Sequence, residues 1–265
     1  MKQMTPAVAA LNAILPSDDP FQSHLQRIMA FFRGVHYYSL DDEPDAKDEI
    51  TDREYLEWKF RHESEGEPAD SVPMRLINLW KEDADRFHEL ASLLGADGVN
   101  VVESIEIFQG RVLAPSSRPD GRGQPTSEGF TPVFRPSTLM GGAPGVYPFS
   151  ALSVGTRRVI RIVTSMLFDK RSLMLLEHPE DSIHPGLLRK LIDLMRSYSG
   201  DTQMLFTTHS PEVLDILKPE EILLATAPGG STKIRRLTGP EIDRARLFLR
   251  DDGSMSDFLE SEGDL

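Results

Sequence analysis

Glu177, His178 and Glu180 stand directly behind an apolar run, Leu173-Met174-Leu175-Leu176. His209 stands directly behind a second run, Met204-Leu205-Phe206-Thr207-Thr208. Carboxylates and imidazoles are the side chains that hold divalent cations and move protons near neutral pH. With Asp181 and His184 they make a set of metal-capable residues in a short stretch. Such a set could serve a hydrolytic metal site of the nuclease or phosphatase kind, although its spacing matches no H-E-x-x-H zinc motif.

Elements of regular structure must bring these residues together. Both apolar runs read as buried strands, and helical periodicity separates them over Gly186 to Ser199. There Leu187, Leu188, Leu191, Ile192, Leu194 and Met195 make a broad apolar face. Strand, helix and strand at this spacing form a βαβ unit with parallel, neighbouring strands. Ligands of open α/β sheets bind beyond the carboxyl ends of the strands. Those ends carry Glu177, His178, Glu180 and His209.

Four motifs in this stretch follow one another in a telling order. Leu152-Ser153-Val154-Gly155-Thr156 resembles the signature motif of ABC-type ATPases. Leu173 to Glu177 resembles their Walker B strand with its metal-side acid. Asp181 to His184 falls at the D-loop, and His209 at the switch histidine. Together they resemble the C-terminal half of an ABC-type ATPase domain, in the branch of RecF-like, SMC-like and OLD-like AAA ATPases. Upstream, FFRGVHYYSL and RLINLWKEDADRFHELASLL are similar to the lid and insertion of that branch.

The resemblance implies an α/β fold: a P-loop NTPase-like, ABC-type sheet flanked by helices, with a helical insertion lobe. It also implies ATP and Mg2+ as cofactors, with Glu177 as the metal-side acid. One strand-end carboxylate suffices, because Mg2+ prefers oxygen ligands and keeps several waters. His178 takes the position of the carboxylate that orients the attacking water. A neutral imidazole accepts a proton but lacks that group's negative charge and second oxygen; Glu180 could substitute. His209 would contact the γ-phosphate. Ser153, Gly155 and Thr156 would offer a hydroxyl and helix N-terminal N–H groups to phosphate, with Glu180 and Asp181 also near the nucleotide. The signature element acts in trans in the family, which implies a homodimer or heterodimer through it. Nucleic acid or an effector protein is a further possible partner, in DNA repair or phage defence.

A departure from the family pattern accompanies these matches. The phosphate-holding G-x-x-x-x-G-K-[ST] loop has no counterpart in the 265 residues, and no Gly-Lys pair occurs. The expectation is a phosphate loop supplied from outside this chain. A catalytically degenerate scaffold or partner subunit is the alternative.

The remaining sequence bounds the setting. A formal charge of −13 disfavours a general nucleic-acid coat, and zero cysteines exclude disulfides and thiolate metal sites. No apolar run is long enough to span a membrane, so a cytoplasmic protein is expected. The expected organisation is N-terminal helices and a strand over 1–54, the helical lobe over 55–98, the ATPase core over 99–250 and an unstructured acidic tail over 251–265. Helices are expected over 1–15, 21–32, 74–83, 84–94, 211–217 and 239–250. Strands are expected over 35–40, 99–108, 130–135, 221–226 and 232–237. Residues 113–129 read as loop, and 58–70 as a polar, mobile stretch. Arg157, Arg158 and Arg161 read as a solvated helix face, and Trp80 as a contact between lobe and body.

Overall fold

The computed structural model describes residues 24, 26–28, 31, 35–38, 47–65, 71–113, 126–137, 145–168, 172–200, 202–251 and 253–263. The helix expected over 1–15 and most of that over 21–32 lie outside them. Strand β1 (Val35–Tyr38) precedes the short β2 (Ile50–Thr51), helix α1 (Asp52–Phe60), α2 (Val72–Glu82) and α3 (Ala84–Leu94). Next come β3 (Val102–Leu113), β4 (Thr126–Pro136), β5 (Tyr147–Pro148), α4 (Val154–Phe168), β6 (Leu173–Glu177), α5 (Pro185–Ser197) and β7 (Gln203–Thr207). The chain closes with α6 (Pro211–Leu214), β8 (Leu223–Thr226), β9 (Lys233–Arg236), α7 (Gly239–Arg250) and α8 (Met255–Ser261).

Three parallel strands in the order β1-β6-β7 carry the candidate residues. The βαβ unit read from the sequence is β6-α5-β7, and its strands are immediate neighbours. Alternation along β6 sends Met174 and Leu176 inward, where they join Tyr38 of β1 and Leu187, Leu188, Leu191, Ile192 and Met195 of α5. The same core takes Val159, Ile160, Ile162, Val163 and Leu167 from α4. Burying each such side chain contributes roughly 1.5–3 kcal/mol before chain entropy is counted. The other face of the sheet presents Tyr37, Leu205 and Glu177, all exposed.

A second, antiparallel sheet runs β2-β4-β3, with β5 on β4. It corrects the two ends of the loop expected over 113–129: β3 and β4 stay paired out to Leu113 and Thr126, and 114–125 lie outside the described residues. Cross-strand pairing overrides the local turn signals at Ser127 and Gly129. The helices α2 and α3 form where expected. Their apolar residues Leu76, Leu79, Phe87, Leu90 and Leu94 share the main core with α4. Trp80 reaches Phe130 of β4 at 6.1 Å between ring centroids, as a contact with the body requires. Trp58 is no part of a mobile stretch: it is buried on α1 with Tyr55, Ile77 and Phe130.

Within the C-terminal stretch expected to be unstructured, Met255–Ser261 form α8. Met255, Phe258 and Leu259 of α8 bury themselves against Leu224, Leu237 and Ala245. Asp215 fixes the start of α8 by accepting from the Ser256 amide and hydroxyl, both at 2.9 Å. Among the described residues no helix is long and apolar enough to cross a membrane.

Candidate functional site

β6 ends at Glu177, whose carboxylate is exposed. The Tyr37 hydroxyl, on the neighbouring β1, donates to Glu177 Oε2 at 2.6 Å. This contact spans 140 residues, and nothing in the sequence around Tyr37 announces it; only the parallel pairing of β1 with β6 creates it. It gives Tyr37 a role as a support for the strand-end acid.

Immediately after Glu177 the backbone turns sharply. His178 has φ 44° and Ser182 φ 61°, both in the left-handed region that non-glycine residues seldom occupy. The His178 amide still donates to Thr207 O at 3.1 Å, which extends the β6–β7 ladder by one bond. Asp181 N then donates to His178 O at 3.2 Å and Ile183 N to Glu180 O at 3.0 Å. These bonds close the tight turn 178–183, which turns the chain toward α5.

The turn brings the expected site residues together. The rings of His178 and His209 stack at 5.6 Å between centroids, 30° apart in plane. His178 Nδ1 lies 3.4 Å from Glu180 Oε1. Glu180 Oε1 also accepts from Thr208 Oγ1 at 2.7 Å, and Thr208 Oγ1 accepts from Ser210 N at 3.0 Å. His178, Glu180 and Asp181 place one possible metal-ligand atom each within 4.8 Å of the others. Glu177, His184 and His209 are not in that group. His184 is the N-cap of α5, its Nδ1 accepting from Gly186 N at 3.2 Å.

The start of α4 abuts the same turn. Ser153 Oγ accepts from Thr156 N at 3.2 Å and lies 2.8 Å from Thr156 Oγ1. Gly155 lies so close to the turn that a Cβ there would meet Ser182 O at 2.1 Å. Arg158 Nη1 donates to Asp181 O at 3.4 Å, and its Nη2 sits 3.8 Å from Asp181 Oδ2. The arginines are therefore not a solvated face. The Arg158 side chain is 10% exposed and Arg161 8%, while Arg157 Nη1 donates to Ser150 O at 2.7 Å. Arginine stems cover apolar surface while the head seeks polar partners, and helical periodicity does not reveal when such a head is enclosed.

Residues 35–215 match the family model "AAA domain, putative AbiEii toxin, Type IV TA system". No curated protein matches the chain. Among solved structures, the chain is similar to one from work on ATP-driven dimerization and DNA-stimulated activation of SMC ATPases. There identity is 15%, over 62% of this chain and 86% of that one, with a TM-score of 0.40. It is also similar to the Smc head domain of Pyrococcus furiosus, with an extended coiled coil and the C-terminal domain of ScpA. That match has 16% identity over 66% of this chain and 38% of that one, at a TM-score of 0.43. A Smc head bound to the C-terminal winged-helix domain of ScpA gives 14%, 66%, 49% and 0.43 in the same order. The family match takes in all of β1, α4, β6, the turn 178–183 and β7, and the chain belongs to this AAA domain family.

Proposed function

We propose that this chain is an ABC-type ATPase domain, or half of one, that binds and hydrolyses ATP with Mg2+ and uses the nucleotide to switch a dimer. The observation that carries the reading is the gathering of Glu177, His178, Glu180 and His209 at the carboxyl ends of β6 and β7, with the N-terminus of α4 packed against the turn between them. Glu177 fits a magnesium ion. It is exposed, it stands at a strand end, and Tyr37 holds one of its oxygens. Ser153, Gly155 and Thr156 fit a phosphate, since they open a helix of 15 residues and Ser153 is exposed there.

When bound, Mg2+ would offset phosphate charge. The chain's own residues would do the rest. Glu177 would anchor the hydrated ion, and Tyr37 would fix the rotamer of Glu177. His178 would accept a proton from water, held in place by His209 and Glu180. Ser153 and the first N–H groups of α4 would donate to phosphate oxygens. The glycine-lysine phosphate loop is absent from these 265 residues, so a separate segment or chain would supply it, and the interface would close over the shared nucleotide.

The test is analytical ultracentrifugation of this chain with a polypeptide bearing a strand–GxxxxGK[ST]–helix unit, in ATP, in ADP and without nucleotide. Association is expected with ATP alone. Ser153→Arg should abolish it by filling the phosphate position, and Glu177→Gln should depress turnover with less effect on association. Equal association in all three conditions, unchanged by Ser153→Arg, would leave the second reading: a scaffold or partner subunit without turnover. His178 favours that second reading, because an imidazole replaces the water-orienting carboxylate. The partner would be a second copy or a related subunit, with nucleic acid or an effector protein joining in DNA repair or phage defence. Adding DNA to the ATP arm tests the nucleic-acid part.

A further inference from the structure

We infer that His178, Glu180 and Asp181 form a binding site for one divalent transition-metal ion of the Zn2+ or Mn2+ class, separate from the magnesium position at Glu177. This goes beyond the ATPase reading and does not depend on it.

The donor set has suitable chemistry and spacing. One imidazole nitrogen and two carboxylates suit zinc or manganese, whereas magnesium favours oxygen and water alone. Donor atoms about 2.1 Å from a shared ion lie roughly 3 to 4.3 Å from one another. The three side chains each bring an atom within 4.8 Å of the other two, and His178 Nδ1 lies 3.4 Å from Glu180 Oε1. Small rotations of exposed Asp181 would close the remainder.

A second observation points to a ligand. Glu180 Oε2 is buried without a hydrogen-bond partner, on a side chain only 11% exposed. Leaving a buried carboxylate oxygen unsatisfied is unfavourable. The Thr208 hydroxyl already serves Oε1, which leaves Oε2 as the atom a cation would satisfy. An internal hydrogen bond from His178 explains Oε1 alone, and at 3.4 Å it is long. The opposing charge is Arg158, 3.8 Å from Asp181 Oδ2. An ion with two charges would compete with that single charge and take Asp181 from it. Metal would then loosen the link between the turn and α4.

The experiment uses the whole chain, stripped with chelator and free of nucleotide. Zn2+ is titrated against a chromophoric competing chelator, and Mn2+ by the loss of its free-ion electron paramagnetic resonance signal. One equivalent is expected to bind, and millimolar Mg2+ should not displace it. His178→Ala and Glu180→Gln should each weaken binding at least about tenfold. Asp181→Asn, at an exposed position, repeats the test where folding is not at stake, and metal-free melting curves verify each variant. His88→Ala controls for adventitious surface histidine binding and should leave affinity unchanged. No bound equivalent in the wild type, or binding that survives both His178→Ala and Asp181→Asn, would overturn the site. Since no nucleotide is present, that result would leave the ATPase reading standing. Failure of ATP-dependent association would equally leave the metal site intact.

Discussion

His178 and Ser182 share a six-residue turn in which both adopt positive φ, a conformation costing a non-glycine residue about 1–2 kcal/mol. The turn persists because the β6–β7 ladder, Thr208 and the start of α4 hold it from three sides. Two outcomes follow at this scale. In an assembly completed by a phosphate loop, His178→Glu should raise ATP turnover at least about tenfold, because a carboxylate adds the negative charge and second oxygen that orient the attacking water. Phosphate release measures this, and an unchanged rate would mean that His178 does not limit the chemistry. Gly155→Ala should cost about 1–3 kcal/mol, since its Cβ would meet the Ser182 carbonyl at 2.1 Å and neither backbone can yield freely. A urea midpoint equal to wild type would refute that close approach. Residues of the site that follow apolar runs, Glu177, His178, Glu180 and His209, were legible in the sequence because a strand end fixes their place. Tyr37, Thr208 and the enclosed Arg158 were not, since each takes its meaning from a partner far along the chain.

At the scale of elements, the βαβ unit was legible because its helix keeps a 3.6-residue apolar period and its strands are short and apolar. Other elements carried signals that composition hid. Thr51 and Glu54 form a capping box at the start of α1, with Thr51 N donating to Glu54 Oε2 at 2.9 Å and Glu54 N to Thr51 Oγ1 at 3.2 Å. That T-x-x-E spacing is a sequence signal for a helix start. Met255, Phe258 and Leu259 of α8 follow i, i+3, i+4 spacing within an acidic segment. By contrast, no local signal places Arg75 of α2 in the core. It is 1% exposed, its Nη1 donates to Ser165 Oγ of α4 at 2.6 Å, and its guanidinium lies over the rings of Tyr38 and Phe168 at 5.9 and 5.4 Å. This arginine ties α2, α4 and β1 into one body. Ser165→Ala removes an acceptor from a buried cation, and should lower unfolding free energy by about 1.5–3 kcal/mol. Equilibrium denaturation checks it, and a loss below the error of the fit would show that the hydroxyl is dispensable.

Among the described residues, three apolar clusters are joined by polar clamps. The main core lies under the parallel sheet, a second holds α1 against β4, and a third holds the C-terminal hairpin and helices together. Arg196 on α5 clamps the main body to the C-terminal part, donating to both oxygens of Glu221 at 2.9 Å. Tyr198, at the end of α5, donates its hydroxyl to Glu89 of α3 and so joins the βαβ unit to the helical layer. Burial first, and then the Glu89 carboxylate, push the Tyr198 hydroxyl from 10.0 up to about 12. The sign follows from which state ionises first. With the folded value above the unfolded one, the unfolded chain loses the proton at lower pH. The clamp's contribution is therefore whole below pH 10 and is lost as pH rises through 10 toward 12. Lysines and other tyrosines also titrate in that range, so the wild type must be compared with Tyr198→Phe, which keeps the ring and removes the ionisable group. The stability advantage of the wild type over this variant should hold steady up to about pH 9 and shrink progressively by about pH 11. Urea midpoints measured on both proteins across that range decide the matter. An advantage that stays constant through pH 11 would mean that Tyr198 ionises alike in folded and unfolded chains, and that the α3–α5 clamp is too wet to couple the two layers.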